Sequence, residues 1–238
     1  MAVELPIQFL RWNYFSRLEA IKELSERELP EDMNLFLLDS TRHNPALCTA
    51  CAKPDGSIYV NAKIVGMGYV LRKQFLRDAT EDLSRHIEWG DKIIAESRTD
   101  EQKRVALSRY QRGGLLLLLQ HLYLEPEEAM RRVDFTKMST IELAKSRRQS
   151  SKHTWSIVQG NRTACLVFYR PPSVSFEVHG WLDVQEKGEY FDFVNAVHDV
   201  FHYVSPERRG MERPVYILNV EEVYDNSPTL EGFGKRIA

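Results

Sequence analysis

Between residues 6 and 28 the apolar positions Ile7, Leu10, Tyr14, Leu18, Ile21 and Leu24 recur three or four apart, and this spacing predicts an amphipathic N-terminal helix. The pattern then changes. "LCTACAKPDGSIYVNAKIVG" holds two stretches of strand-favouring residues around Pro54-Asp55-Gly56, whose turn chemistry predicts a hairpin. From about Val70 to Leu124 the helical period returns, with Phe75, Ala79, Leu83 and Ile87 four apart, and Thr99-Asp100-Glu101-Gln102 reads as a capping box opening a second helix. Gly113 and Gly114 interrupt that helix just before five consecutive leucines. Each interior glycine costs about 1 kcal/mol relative to alanine, so the pair predicts a kink or a helix boundary. Pro126 suits the first turn of a further short helix, and "RRVDFTKMS" reads as a short strand.

A polar, cationic stretch, "STIELAKSRRQSSKHTWSIVQGN", leads into "TACLVFYRPPSVSFEVHGWLDV", two strands about a proline corner. A helix over "GEYFDFVNAVHDVFHYV" and a strand over "PVYILNVEEVY" complete the order. Strands grouped around a helical insertion at about 68–128 predict an α+β fold with antiparallel, barrel-forming strands, read as one domain over 1–238.

Composition removes several classes of function. The longest purely apolar run, Leu115 to Leu119, is far short of the ~20 residues of a membrane-crossing helix. The N-terminus lacks a basic region followed by a long apolar one, so the expected address is cytoplasmic, with no membrane partner. A formal net charge of −2 and the lack of an aromatic-basic platform argue against a nucleic-acid partner. Three cysteines do not form a disulfide framework. Cys48 and Cys51 make a CxxC, but on a strand that spacing sends the thiols to opposite faces, and no second CxxC accompanies them; they read as core or surface thiols.

The hairpin of "ACLVFYRPP" and "VSFEVHGWLDV", followed by a helix and a final strand, resembles the pyridoxamine 5'-phosphate oxidase-like FMN-binding split barrels. The residues that carry the likeness are Asn161, Ala164, Leu166, Phe168, Pro172, Val178 and Gly180. It spans about 46–66 and 131–226 and leaves the N-terminal helix and the insertion outside. The resemblance implies an antiparallel split β-barrel with a helical insertion and an N-terminal helix. It also implies an FMN-dependent oxidoreductase acting on a small molecule, working as a homodimer with flavin between the subunits.

The phosphate clamp implied by the resemblance falls on Asn61 and Lys63 of the second strand and on Ser150, Ser151, Lys152, His153 and Thr154 before the fourth. Where the family carries an arginine and a lysine on its second strand, this chain aligns Asn61 and Gly66. The same basic stretch also reads as a solvated loop. Arg170, His179 and Tyr110 are the substrate-facing candidates, and Arg112, His121 and Tyr123 join Tyr110 if the insertion is a lid. His198 and His202, four apart on a helix, share a face as metal or haem ligands would, or they are packing histidines. Two alternatives therefore stand beside the flavin enzyme: a flavin-free or haem-binding barrel using His179, His198 or His202, and a non-catalytic protein whose leucine-rich helices bind a partner.

Overall fold

The computed structural model describes residues 2–26, 33–142, 153–209, 213–230 and 232–238. Helix α1 (Ile7–Leu10) continues through a π-helical turn at Arg11–Phe15 into α2 (Ser16–Glu26). Next come α3 (Met33–Ser40) with a 3₁₀ turn at Thr41–His43, then strands β1 (Ala46–Ala52) and β2 (Ile58–Ile64). Helices α4 (Lys73–Ala95), α5 (Asp100–His121) and α6 (Pro126–Arg132) form the insertion ahead of β3 (Lys137–Ile141). The remainder is α7 (His153–Gly160), β4 (Thr163–Arg170), β5 (Val174–Gln185), α8 (Glu189–Phe201), α9 (Pro206–Arg209), β6 (Val215–Asp225) and the two-residue β7 (Lys235–Arg236).

All strand pairs are antiparallel, in the order β2-β1-β4-β5-β6-β3 with β7 on β6. The fold is α+β, as the order of sequence patterns implied. The sheet also curls until its ends meet. Beyond β2 the chain runs past β3, where Gly68 and Ser139 exchange both backbone hydrogen bonds (2.8 and 2.9 Å) and Leu71 pairs with Val133. This closure gives the barrel.

Period-two alternation decides which side chains fill it. Leu47, Leu166 and Val178 lie side by side across β1, β4 and β5 and are fully buried. Phe9 of α1, outside the stripe read from the sequence, enters the same core edge-on to Phe168 (5.1 Å) and Phe176 (5.4 Å); of that stripe Leu10, Tyr14, Leu18 and Ile21 are buried, while Ile7 is exposed. Tyr14 sits deeper. Its hydroxyl donates to the Leu122 carbonyl (2.6 Å) and accepts from the Leu124 N–H (2.8 Å), tying this helix to the end of the insertion.

Two local expectations need correction. Helix α5 runs unbroken through Gly113 and Gly114. A Cβ at Gly114 would lie 2.4 Å from the carbonyl oxygen of Val200 and one at Gly113 2.6 Å from the His86 ring, so these glycines are notches that let α8 and α4 approach. The strand expected at 131–139 begins later, because α6 occupies the chain as far as Arg132. Thr99 caps α5 as expected, its Oγ1 accepting from the Gln102 N–H (3.2 Å), while the Gln102 side chain reaches past it to accept from the Arg98 N–H (2.8 Å). Among the described residues no helix is long and apolar enough to cross a membrane.

Candidate functional site

Alternation along β2 sends Tyr59, Asn61 and Lys63 to the side of the sheet that carries Leu47 and Thr49, and α7 lies against this side. Tyr59 Oη is 2.9 Å from His153 Nδ1, and the Asn61 amide donates to Thr154 Oγ1 (3.0 Å). Residues more than ninety positions apart in the chain thus meet where α7 begins. Thr49, 2% exposed and directly opposite Asn61, has a hydroxyl with no hydrogen-bond partner among the described residues. Such an orphan in a buried setting favours a polar group beside it.

Lys63 has a different partner. Its Nζ donates to both carboxylate oxygens of Glu142 (2.8 and 2.7 Å), across the seam where β2 and β3 close the barrel. Glu142 is 2% exposed and also accepts from Tyr216 Oη (3.2 Å). Burial, and then the Glu142 charge, push the Tyr216 hydroxyl well above its ordinary pKa, so it stays a donor. A buried carboxylate needs such a set of donors, and Lys63 and Tyr216 supply them.

The other candidates disperse. Ser150, Ser151 and Lys152 lie outside the described residues. Arg170 donates to Asp39 of α3 (2.7 Å), which also binds Arg42. Tyr110 is fully buried between helices; it stacks on His86 (4.7 Å) and its hydroxyl donates to the Asp199 carbonyl (2.7 Å), which is a packing position rather than a substrate-facing one. His121 and Tyr123 are buried too. Arg112 and His202 line a surface hollow of about 1080 Å³ between α2, α5 and the end of α8, away from the β2–α7 cradle. His198 and His202 have ring centroids 5.3 Å apart, but His198 Nδ1 is taken by Asp199 (2.9 Å). His179 lies on the opposite, outer face of the sheet beside Cys165 and Glu177.

Sequence reasoning missed Tyr59 and Glu142. Tyr59 sits two residues before Asn61 and four before Lys63, so extending the period-two reading of the strand would have found it. Glu142 lies in a polar stretch where nothing marks it as a buried acid.

The strand pairing and the cradle define an antiparallel α+β barrel with a polar site where β2 meets α7. No protein-family model matches the chain, and no curated protein matches it. Among solved structures it is similar to HupZ of Group A Streptococcus, at 11% identity over 83% of this chain and 96% of that one (TM-score 0.36). It is also similar to an F420 reductase, at 10% identity over 82% of this chain and 98% of that one (TM-score 0.33). A third likeness is to a Listeria innocua protein described as a candidate pyridoxamine 5'-phosphate oxidase, at 12% identity over 82% and 96% (TM-score 0.36). Similarities this low carry no weight in assigning the site, which stands on its own geometry.

Proposed function

We propose that the chain is an FMN-dependent oxidoreductase acting on a small molecule, with the flavin phosphate held at the start of α7. One observation carries this reading: Tyr59 and Asn61 of β2 meet His153 and Thr154, assembling hydroxyl, amide and imidazole groups next to the orphan hydroxyl of Thr49. A phosphate needs several donors and a favourable potential, and polar side chains together with the backbone N–H groups and dipole of a helix start supply them. The residues present fit it there. They do not fit it at Lys63, whose charge is taken up by Glu142 at 2.7 Å and beside which a phosphate would face a buried carboxylate.

When bound, the flavin ring supplies hydride exchange with the substrate. The chain's own residues anchor and orient: Thr154 and Asn61 donate from the cradle floor, exposed His153 faces the phosphate from its rim, and the apolar barrel wall behind them excludes water.

Lys152→Ala removes one charge-assisted contact, roughly 1.5–3 kcal/mol, and is expected to weaken FMN about ten- to a hundredfold while leaving apo stability near the parent's. Flavin fluorescence quenching measures the first and urea unfolding the second. Unchanged affinity would assign Lys152 to a solvated loop.

Lys63 and Glu142 favour a second reading, a barrel without flavin, because the expected phosphate cation is already neutralised from within the chain. A parent protein that binds neither FMN nor riboflavin would select it.

The same reading includes a homodimer. Ile58, Val60 and Ile64 form an apolar row on the outer face of edge strand β2, 64–69% exposed, and an exposed apolar edge invites a second copy. Light scattering is expected to give twice the chain mass, and Val60→Lys to shift the protein to monomer. A parent that is monomeric at micromolar concentration would contradict the dimer.

A further inference from the structure

On the outer face of the sheet, turned away from the β2–α7 cradle, alternation places Cys48 of β1, Cys165 of β4 and His179 of β5 in one row. Cys48 is the direct cross-strand partner of Cys165, and Cys165 that of His179. Glu177, two residues before His179, shares this face. The His179 Nε2 atom is 3.6 Å from Cys165 Sγ and 2.8 Å from Glu177 Oε2, and the three ligand atoms all lie within 4.8 Å of one another. We propose that Cys165, Glu177 and His179 bind one divalent transition-metal ion of the zinc type, with Cys48 as the fourth donor.

The separations suit such an ion. Zinc binds thiolate sulfur at about 2.3 Å and imidazole nitrogen at about 2.0–2.1 Å, so two such ligands on a tetrahedral centre stand about 3.5 Å apart. The Cys165–His179 pair already has this spacing in the described structure. The Glu177–His179 contact is now a hydrogen bond, and a metal in place of its proton asks the two atoms to part by only about 0.5 Å, within the reach of a Glu side chain about a third exposed.

The donor set of thiolate, imidazole and carboxylate suits zinc and disfavours calcium or magnesium, which take oxygen alone. Cys48 Sγ rests against the Ala46 carbonyl (3.9 Å) and reaches the ion by turning about χ1. Cross-strand partners have Cβ atoms only about 4.5–5.5 Å apart, so the turn needs no change in the backbone. The side chain of His179 is 39% exposed, leaving a path from solvent.

Cobalt(II) tests this directly in the full-length protein, kept reduced by a phosphine that does not bind metal. The parent is expected to develop the visible bands of tetrahedral cobalt and a near-ultraviolet thiolate-to-cobalt band, saturating at one ion per chain and reversed by zinc. His179→Gln and Glu177→Gln should weaken binding tenfold or more. Cys165→Ser should do the same and, like Cys48→Ser, lower the thiolate band to about half. Cys51→Ser, on the other face, should match the parent. Far-ultraviolet circular dichroism checks that each variant is folded. A parent that gives no cobalt bands, or folded Cys165→Ser and His179→Gln proteins that bind like the parent, would overturn the site. A thiolate band undiminished in Cys48→Ser would overturn Cys48 as the fourth donor.

Discussion

Replacing Arg213 with methionine is expected to destabilise the protein by about 3–5 kcal/mol, the cost of leaving a buried ion without its partner. Arg213 Nη1 and Nη2 donate to the two carboxylate oxygens of Asp199 (2.5 and 2.8 Å), and the residues are 8% and 2% exposed. The pair joins the end of α8 to the chain entering β6, and Tyr110 of the insertion adds its hydrogen bond to the Asp199 carbonyl. The double variant Asp199→Asn with Arg213→Met should recover a large part of the loss, because no charge is then stranded. Urea unfolding measures all three proteins, and a single variant within about 1 kcal/mol of the parent would contradict the buried pair.

The pair also sets a pH dependence. Burial pushes the Asp199 carboxyl up, but the hydrogen bonds and charges of Arg213 and His198 outweigh it and hold the group below its usual range. The native state then binds fewer protons than the unfolded state, so this contribution is complete above the unfolded value near pH 4 and is lost as the pH falls through the lowered native value. The gap between parent and Arg213→Met should therefore narrow in acid.

Gly180→Ala is expected to cost roughly 3 kcal/mol, the upper end of what overpacking does. Gly180 lies in β5 at a register shift against β6, and an added Cβ would stand 2.0 Å from the Asn219 carbonyl oxygen and 2.9 Å from its carbon. The obstacle is backbone, which no rotamer change relieves. Gly66→Ala is the control: nothing lies within 4 Å of its added Cβ, and its stability should stay within about 0.5 kcal/mol of the parent. Thermal unfolding compares them, and equal shifts in the two variants would contradict the close approach of the strands at Gly180.

Gly180 also shows how far the sequence could be read. Its place in the Val178-x-Gly180 step was visible, and so were both hairpins, because β-branched density, Pro54-Asp55-Gly56 and the Pro171-Pro172 corner are local signals that act over a few residues. The first hairpin pairs in full register from Ala46 with Ile64 to Ala52 with Ile58. Gly113 and Gly114 misled because the same residue serves as a helix breaker or as a contact notch. The choice lies in Val200 and His86, which come from other helices. The cradle was half visible: Asn61, Lys63, His153 and Thr154 could be named one by one, yet Lys63 drawing its partner from residue 142 depends on how the barrel closes. The Cys165–Glu177–His179 cluster was hidden for a similar reason, since CxxC drew the eye to Cys51, while Cys48 finds its neighbours across two strand pairings.

Titrating the full-length parent with FMN and with riboflavin, and following flavin fluorescence, tests whether the β2–α7 cradle holds a flavin by its phosphate. The two share the ring and differ in the phosphate. Charge-assisted contacts at the start of α7 predict FMN binding at least tenfold tighter than riboflavin. Equal affinities, or no binding of either, would contradict it.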